Sequence, residues 1–599
     1  MRRARPYLIA VALIALPPIL GRVFPGQFND LRAGILGFGV VFAIGALSLN
    51  LLMGYAGQIS LGHGAFIGVG AIAMGIITGK LGLAFIIGLP VAAIAGAAFA
   101  FLVGLPALRI RGLYLAISTV AFGEAMARFV FPLNAVSGGQ TGISVPRPLV
   151  GTFEFTRNAD YLAIMVAVFL VVWLIDRNIV RSRLGRAMFG IREDEQVAAS
   201  FGVEVARTKL TAFVLAGALA GIAGALQGPL ISLAQSNAFD FDDSLFYVML
   251  VVVGGLGSRV GITIAAFFFA AIPRLLVSLQ KWRDFVGAAL LVFTIARHPG
   301  GIAQGLREAR ERKRKPAEAG DDDGVVPALP RVLVDRPRTP LLPDVPLLEA
   351  ESVSVRFGGL QALEGAGISV RPGTIAGLIG PNGAGKTTLF NVLSGFQRPE
   401  AGRVRFRGED ITSAAPHVRA ALGMGRTFQL IGLAHNLSVT ENFLLAQHHL
   451  DRYNSVQAVL RTPTARRAEA ALLERARHAI AALGFEQLAD EPVRNLSGGQ
   501  QRLVELGCAL VTGPDLLLLD EPSAGLSPAM TESLAERLRS VRDELGLTIL
   551  LIEHHIPLVA EVCDEVTVLN LGRPLTAGAT ADVIADPAVV AAYLGEDAA

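Results

Sequence analysis

The stretch Gly380-Pro381-Asn382-Gly383-Ala384-Gly385-Lys386-Thr387-Thr388 decides the fold of the C-terminal half of this chain. It matches the pattern G-x-x-x-x-G-K-[ST], in which backbone N–H groups of a glycine-rich loop surround nucleotide phosphates at the start of a helix. Lys386 is placed to reach the β- and γ-phosphates, and the hydroxyl of Thr387 is placed to bind Mg²⁺. Thr388 continues the helix and can add an N–H to the α-phosphate. Alone, the pattern predicts only nucleotide binding.

Three further signals follow the loop in order. The first is Leu496-Ser497-Gly498-Gly499-Gln500-Gln501-Arg502, and the second is a run of four leucines that ends in Asp520-Glu521-Pro522. His554 then closes a strand-like apolar run. The leucines predict a buried parallel strand, because both faces of such a strand are covered. Asp520 at its end would then face Mg²⁺, and Glu521 would polarise the attacking water.

These four signals, in this order, resemble those of the ATP-binding cassette (ABC) ATPases. The resemblance implies that Gln429 senses Mg²⁺ and water while contacting a permease, and that His554 contacts the γ-phosphate. It also implies that the ring of Phe357 stacks on adenine; the alternative for Phe357 is a core residue of a strand. The expected catalytic residues are Glu521, His554 and Gln429. The expected Mg²⁺ ligands are Thr387, Gln429 and Asp520. The residues expected to bind ATP are Phe357, Gly380, Asn382, Gly383, Gly385, Lys386, Thr387, Thr388, Ser497, Gly498, Gly499 and Gln500.

The turn Ser497-Gly498-Gly499 opens another predicted helix, whose dipole and free N–H groups suit a γ-phosphate. In ABC ATPases such a turn completes the nucleotide site of a second copy, not its own. The resemblance therefore implies that the chain needs a second motor, identical or homologous.

The chain before about residue 300 is richer in apolar runs than the C-terminal half. Overall 52% of the 599 residues are hydrophobic and 17% are charged, but the apolar runs concentrate in the N-terminal half. Leu31–Met53, for example, is long enough to cross a hydrocarbon core of about 30 Å. We expect an N-terminal all-α polytopic membrane domain of eight to ten helices, some broken by Gly and Pro, followed by a C-terminal α/β P-loop ABC nucleotide-binding domain. The two cysteines exclude a disulfide framework and a C-x-x-C metal site.

Three regions are expected: a transmembrane permease domain at residues 1–304, a charged, Pro-rich cytoplasmic linker at 305–346, and an ABC ATP-binding domain at 347–599. Arginines and lysines crowd the ranges 177–192 and 307–315, which predicts that both ranges and the ATPase are cytoplasmic. A retained first span with a cytoplasmic N-terminus is expected; the alternative is a cleaved signal peptide. The net charge of +3 does not indicate a nucleic-acid partner.

Two polar features of the membrane half bear on mechanism. Glu193–Gly202 mixes a charged face with small residues and ends at glycine, as a short helix would. It resembles the coupling segment by which ABC importer permeases dock on their ATPases; the alternative is an ordinary amphipathic connector. Glu124 and Arg128 lie four residues apart in an apolar run, which suits either substrate contact or a self-neutralising pair. The residues assigned to coupling are Glu195, Ala198, Ala199 and Gly202.

Both halves of the chain resemble one transport system. Gly54–His63, Arg111–Ile117 and Val253–Ser258 look like stretches of the permeases of high-affinity branched-chain amino acid importers, a family shared with urea uptake systems. Arg356–Leu360 and the tail Ala592–Glu596 look like the ATPases of the same systems. One departure is Gly498, where these ATPases often carry an aromatic residue.

The resemblance implies ATP-driven import of branched-chain or other hydrophobic amino acids across the bacterial inner membrane. It implies ATP and Mg²⁺ as cofactors. The implied partners are a periplasmic solute-binding protein, the lipid bilayer, and a second homologous permease and ATPase, or another copy of this chain. Import of urea, short amides or aromatic carboxylates remains open, as do an ABC exporter half-transporter and a membrane-anchored regulatory ATPase. Exporters typically have six long spans, whereas this sequence predicts more and shorter ones.

Overall fold

The chain forms two compact units in a computed structural model. The first contains Met1–Met188 and Ala206–Gly320, and the second contains Phe189–Val205 and Asp321–Ala599. A short segment from the apolar half is thus grouped with the C-terminal unit. The structure describes residues 5–24, 28–107, 112–150, 153–235, 239–275, 289, 291–294, 296, 345–450, 453–524 and 528–594. The predicted linker lies outside these described residues up to residue 344.

The N-terminal half is helical, as its apolar runs predict. Five of its described helices are long and apolar enough to cross a membrane, with mean hydropathies of 1.2 to 2.4. The predicted count of eight to ten membrane helices remains a prediction. The helices are α1 (Arg5–Val23), α2 (Asp30–Asn50), α3 (His63–Met74), α4 (Phe85–Ala107), α5 (Leu113–Ala125), α6 (Asn134–Ser137), α7 (Asn158–Val180), α8 (Arg183–Glu193), α9 (Glu195–Ser200), α10 (Val205–Ile231), α11 (Phe241–Gly254) and α12 (Arg259–Leu275). Short π-helical turns at Leu51–Tyr55, Gly75–Lys80 and Met126–Val130 continue α2, α3 and α5, and two-residue strands occur at β1 (Ile143–Ser144), β2 (Leu149–Val150), β3 (Phe153–Glu154) and β4 (Leu233–Ala234).

The chain is not helical between the π-turn after α2 and the start of α3. Side chains from distant helices satisfy backbone groups around this break. Thr119 Oγ1 accepts the Leu61 N–H at 3.0 Å, and Ser244 Oγ accepts the Gly64 N–H at 2.9 Å. Irregular backbone in a membrane protein needs such partners. That some membrane helices are broken within a span remains a prediction.

Glycines allow α3, α4 and α10 to pack backbone against backbone. A Cβ added at Gly70 would clash with the carbonyl of Gly221, and one added at Gly221 would clash with the carbonyl of Ala92. A Cβ added at Gly224 would likewise clash with the carbonyl of Ile67. Small residues at helix interfaces permit this approach in membranes, where van der Waals packing drives helix association.

Several charges in the described part of the apolar half are paired. Arg128 Nε donates to Glu124 Oε2 at 2.5 Å, which is the self-neutralising arrangement that the sequence left open. A second ion pair joins Arg259 to the fully buried carboxylate of Asp176 at 3.3 Å, and the hydroxyl of Tyr55 donates to the same oxygen. Pairing offsets part of the cost of placing charges in a low-dielectric region.

The second unit is an α/β structure with two sheets. The six-stranded sheet has the order β10-β11-β12-β7-β13-β14 and is parallel except for its last pair, and the antiparallel sheet has the order β6-β5-β8-β9. The strands are β5 (Leu348–Phe357), β6 (Leu360–Val370), β7 (Ile375–Ile379), β8 (Ala401–Phe406), β9 (Glu409–Asp410), β10 (Met424–Arg426), β11 (Leu516–Asp520), β12 (Thr548–Ile552), β13 (Glu565–Asn570) and β14 (Arg573–Ala579). The helices are α13 (Lys386–Leu393), α14 (Pro416–Leu422), α15 (Val439–Ala446), α16 (Ser455–Leu460), α17 (Pro463–Ala482), α18 (Gly498–Leu510), α19 (Pro528–Leu545), α20 (Ile556–Val562), α21 (Thr580–Ile584) and α22 (Pro587–Leu594).

Helix α13 is anchored between the two sheets. Its Leu389 and Phe390 are fully buried in one apolar cluster with residues of both sheets, among them Val353 and Leu518. Strand β11 is buried along its whole length, as its four leucines predict. The start of α13 is therefore held rigidly beside the end of β11.

We expect Gly221→Ala to lower the midpoint of thermal unfolding of the detergent-purified chain, because the added methyl group forces α4 and α10 apart. Overpacking of this kind costs about 1–3 kcal/mol. Ala98→Val on the exposed side of α4 is the matched control and should leave the midpoint unchanged. An unchanged midpoint for Gly221→Ala would contradict the close packing described above.

Candidate functional site

The loop between β7 and α13 has the backbone conformation of a phosphate-binding loop. Gly380 and Gly385 have φ angles of 148° and 93°, a region that side chains disfavour. A Cβ at Gly383 would meet no atom within 4 Å, so this part of the loop borders open space. The N–H groups in the first turn of α13 have no acceptor within the helix and suit an anion.

Lys386 folds back onto its own loop. Its Nζ donates to the carbonyl oxygens of Gly380 at 2.7 Å and of Pro381 at 3.0 Å. Burial lowers the pKa of Lys386, while the carboxylates of Glu521 and Asp520 act in the opposite direction. The ammonium group thus lies inside the loop with the two predicted acidic residues nearby.

The predicted catalytic residues come together at the end of β11. Gln429 Nε2 donates to Glu521 Oε2 at 2.9 Å, and His554 Nδ1 lies 3.9 Å from the same oxygen. Glu521 has a positive φ of 46°, which is uncommon for a residue with a side chain and recurs at functional sites. This geometry brings together all three side chains that the sequence assigns to catalysis.

Asp520 is buried beside an arginine that the sequence analysis did not assign to the site. Arg426 Nη2 lies 3.4 Å from Asp520 Oδ2. Burial raises the pKa of Asp520, and the guanidinium opposes this shift. Burial lowers the pKa of Arg426 to about 10, so the group stays charged at neutral pH.

Two further buried carboxylates hold the backbone of the site. Glu505 Oε1 accepts the N–H groups of Phe428 at 3.1 Å and of Gly432 at 2.9 Å. Glu553 accepts the N–H groups of Ser523 at 2.9 Å and of His554 at 3.2 Å. Sequence reasoning missed both roles, although each glutamate lies within eight residues of a recognised motif.

Arg502 connects the helix after the Ser497 turn to the end of β11. Its guanidinium donates to the carbonyl oxygens of Phe428 at 2.8 Å and of Glu521 at 3.0 Å, and it pairs with Glu505 at 2.7 Å. The sequence analysis quoted Arg502 as part of a motif but gave it no role. Its contacts tie the loop that carries Gln429 to the residue that carries the predicted base.

The Ser497 turn is a complete helix cap. Ser497 Oγ accepts the Gln500 N–H at 3.3 Å, and Gln500 Oε1 accepts the Ser497 N–H at 3.0 Å. A Cβ at Gly498 would meet no atom within 4 Å, so the turn borders open space. The contacts described for this turn do not join it to Lys386 or Thr387 of the same chain.

Phe357 ends strand β5 and is 50% exposed, and the neighbouring Leu360 is 67% exposed. The alternative interpretation of Phe357 as a core residue is therefore wrong. An exposed aromatic ring at this position remains available for stacking.

The segment Phe189–Val205 contacts the ATPase within the second unit. Asn436 Nδ2 donates to Glu193 Oε1 at 2.6 Å, and Arg494 Nη1 donates to Asn436 Oδ1 at 2.6 Å. Arg494 lies three residues before Ser497. The segment is therefore linked by hydrogen bonds to the region that precedes the Ser497 turn.

The small residues assigned to coupling are packed in this segment. Ala198 and Ala199 of α9 are buried, and Asp194 caps the helix by accepting the Gln196 N–H at 2.6 Å. A Cβ at Gly202 would lie 2.6 Å from Cβ of His449. Glu195 is half-buried in the same helix. Glu193, which sequence reasoning did not single out, makes the hydrogen bond to Asn436.

Tyr593 completes the phosphate loop from α22. Its hydroxyl accepts the N–H of Gly380 at 2.7 Å. Burial raises the pKa of Tyr593, and this hydrogen bond opposes the shift. The sequence marked the tail around Tyr593 only by its resemblance to a family, because nothing local indicates a contact 213 residues away.

Comparisons with known proteins agree for both halves. The family model "Branched-chain amino acid transport system / permease component" matches residues 31–295, and the model "ABC transporter" matches residues 363–524. The high-affinity branched-chain amino acid transport ATP-binding protein BraF of Pseudomonas aeruginosa is 39% identical over 251 residues, which are 42% of this chain and 98% of that protein. LivG of Escherichia coli, with the same description, is 40% identical over 251 residues and the same shares. A solved nucleotide-free ATP-binding cassette from an ABC transporter is 33% identical, with 42% of this chain and 100% of that chain covered and a TM-score of 0.37.

We expect Tyr593→Phe to weaken ATP binding by about five-fold, because the Gly380 N–H loses a partner worth about 1 kcal/mol. Binding of a fluorescent ATP analogue to the purified chain measures this effect. Tyr453→Phe removes a hydroxyl that bonds to Glu469 elsewhere in the second unit and should leave the affinity unchanged. Equal affinities for the Tyr593→Phe variant and the unmodified chain would show that the contact does not position the loop.

Proposed function

Because this chain belongs to the branched-chain amino acid transport family of ABC transporters, we propose that it is a fused permease–ATPase subunit of an importer for branched-chain or other hydrophobic amino acids. The chain is an ABC-type ATPase that also carries a membrane permease region. One observation carries the substrate proposal: residues 31–295 match a permease component of the same kind of transport system that the relatives of the ATPase serve.

Lys386 and the first turn of α13 would bind the nucleotide phosphates. The carbonyl groups of Gly380 and Pro381 hold the ammonium group where phosphate oxygens can replace them. The exposed ring of Phe357 would stack on adenine. The N–H groups of Asn382, Gly383 and Gly385, together with Thr388, would surround the α- and β-phosphates. Gly380 would shape the loop, because its N–H is bound to Tyr593.

The residues around Asp520 fit a magnesium ion. Carboxylate, hydroxyl and amide oxygens are its preferred protein ligands, and Asp520, Thr387 and Gln429 supply one of each. Bound Mg²⁺ would offset the negative charge of the phosphates. The ion pair described for buried Asp520 is with Arg426, which contacts a single carboxylate oxygen.

Glu521 would orient and polarise the water that attacks the γ-phosphate. Its Oε2 is held by Gln429 at 2.9 Å, and His554 lies close enough to respond to the state of the same carboxylate. Glu553 sets the backbone of His554. These contacts fix the direction of the carboxylate.

Two ATPase copies would be needed for turnover. The turn Ser497-Gly498-Gly499, with Gln500, would complete the nucleotide site of a second ATPase. The N–H groups of Gly498 and Gly499 would face the phosphate, while the capping bonds between Ser497 and Gln500 would hold the turn. That second ATPase, and a second homologous permease, would be separate chains or another copy of this chain. Closure of the two ATPases on ATP would then be the conformational change that drives transport.

The segment Phe189–Val205 would transmit this closure to the permease. Its Glu193–Asn436 hydrogen bond and the buried Ala198 and Ala199 support a coupling role. In this proposal residues 1–304 form the permease, 305–346 a linker and 347–599 the ATPase. The N-terminus and the ATPase face the cytoplasm of a bacterium, and a periplasmic binding protein delivers the solute to the inner membrane.

We expect Glu521→Gln to lower ATP hydrolysis by at least about 100-fold, because the amide cannot accept a proton from water. ATP binding should remain. Hydrolysis is measured on the chain reconstituted with its partners, with Glu561→Gln, on the surface of the same unit, as the control. Normal turnover in the Glu521→Gln variant would assign the role to another residue.

Uptake of labelled leucine tests the transport proposal. Cells that lack this chain should regain leucine uptake with the unmodified chain and not with Lys386→Ala, because that variant loses the phosphate-binding ammonium group. If leucine uptake is the same in all three strains, the solute assignment is wrong, and labelled urea is the next solute. Restored efflux in place of uptake would support the exporter alternative.

A further inference from the structure

Arg426 lies in a cage of three aromatic rings. Its guanidinium carbon is 5.2 Å from the ring centres of Phe390 and Phe396 and 4.9 Å from that of Phe428. The residue is only 7% exposed. Guanidinium groups stack favourably on aromatic faces, and the attraction grows when water is excluded. The rings therefore restrict both the position and the rotation of this side chain.

The polar edge of the guanidinium faces two partners. Nη1 donates to Ser394 Oγ, and Nη2 donates to Asp520 Oδ2 at 3.4 Å. The parallel register places Arg426 of β10 opposite Leu518 of β11, two residues before Asp520. The side chain thus reaches along the strand to the carboxylate at its end.

We propose that Arg426 is a positioning residue that holds the Asp520 carboxylate in place for Mg²⁺, and that Phe428 connects it to the segment Phe189–Val205. The inference rests on the proposed Mg²⁺-ATP site. A guanidinium cannot bind a metal ion, so Arg426 acts through Asp520. It contacts Oδ2 and leaves Oδ1 for the ion or its water.

The contacts of Phe428 carry the second part of this proposal. Its ring packs on Arg426, and its N–H donates to Glu505 Oε1, which also accepts the N–H of Gly432. A Cβ added at Gly432 would lie 2.7 Å from the ring of Phe428 and 3.3 Å from Val197 of α9. One layer of atoms therefore separates α9 from the ring that packs on Arg426.

A movement of α9 against Gly432 would push on Phe428 and, through its ring, on the guanidinium. Cores are close-packed, so a displaced ring moves its neighbours instead of filling empty space. Asp520 would then change position. The coupling signal would act on the metal ligand separately from ATP binding.

Thermal unfolding of the full-length chain in detergent separates these effects. Tm is measured with ATP and EDTA, and then with ATP and increasing Mg²⁺. Arg426→Gln should raise the Mg²⁺ concentration that gives half of the metal-dependent Tm shift by about ten-fold, and Arg426→Lys, which keeps the charge, by less. Gly432→Ala, whose added Cβ would crowd the ring of Phe428, Glu505 Oε1 and Val197, should raise it as well. The Tm shift with ATP and EDTA should be retained in each variant.

Arg405→Gln is the matched control, because Arg405 also pairs with carboxylates, those of Glu349 and Glu351, but in the antiparallel sheet. It should keep the Mg²⁺ requirement of the unmodified chain. If Arg426→Gln does not fold, Arg426→Lys and Gly432→Ala decide the question.

An unchanged Mg²⁺ requirement in the folded Arg426 variants would overturn the positioning role, and an unchanged requirement in Gly432→Ala would overturn the connection through Phe428. Loss of the ATP shift in EDTA would show a merely structural role. An unmodified chain whose Tm responds to ATP but not to Mg²⁺ would instead overturn the proposed metal site, and this inference with it.

Discussion

The parallel register of four neighbouring strands is the constraint on which the site depends. Strands β7, β10, β11 and β12 run in the same direction, so their carboxyl ends meet at one edge of the sheet. The phosphate loop follows β7, and the acidic pair lies at the end of β11. Gln429 follows β10, and His554 follows β12. Ligands bind at this edge in open α/β sheets because each strand delivers its next residues to the same place.

Two buried carboxylates, those of Glu505 and Glu553, hold the loops at this edge of the sheet and have no proposed role in catalysis. Glu505 and Glu553 each accept main-chain N–H groups from loops that would otherwise depend on turn geometry alone. Arg502 supplies the compensating positive charge for Glu505, as Arg426 does for Asp520. A buried charge with several good partners fixes one arrangement, because any other arrangement leaves it unpaired. The side chains proposed for catalysis are thus held in place by buried polar groups.

Local patterns predicted the part of the site that lies at strand ends. The places of Lys386, Asp520 and Glu521 can be predicted from sequence, because a loop motif and a leucine run specify them without reference to the rest of the chain. The contacts of Arg426 and Tyr593 cannot be predicted in this way, because they arise from the packing of strands or helices that are far apart in sequence. The helical membrane half followed from hydropathy, but its backbone-to-backbone packing at Gly70 and Gly221 did not, since glycine is frequent throughout the chain.

The hydrogen bond from Gly380 to Tyr593 also has a consequence for biosynthesis. The two residues are 213 positions apart, and a ribosome adds about 5–20 residues per second. The phosphate loop therefore lacks this partner for roughly 10–40 s after it has been translated. During that interval the apolar half, which precedes the loop in the chain, is already available for membrane insertion. The order of residues along the chain delays a fully formed nucleotide site until the membrane half has been made.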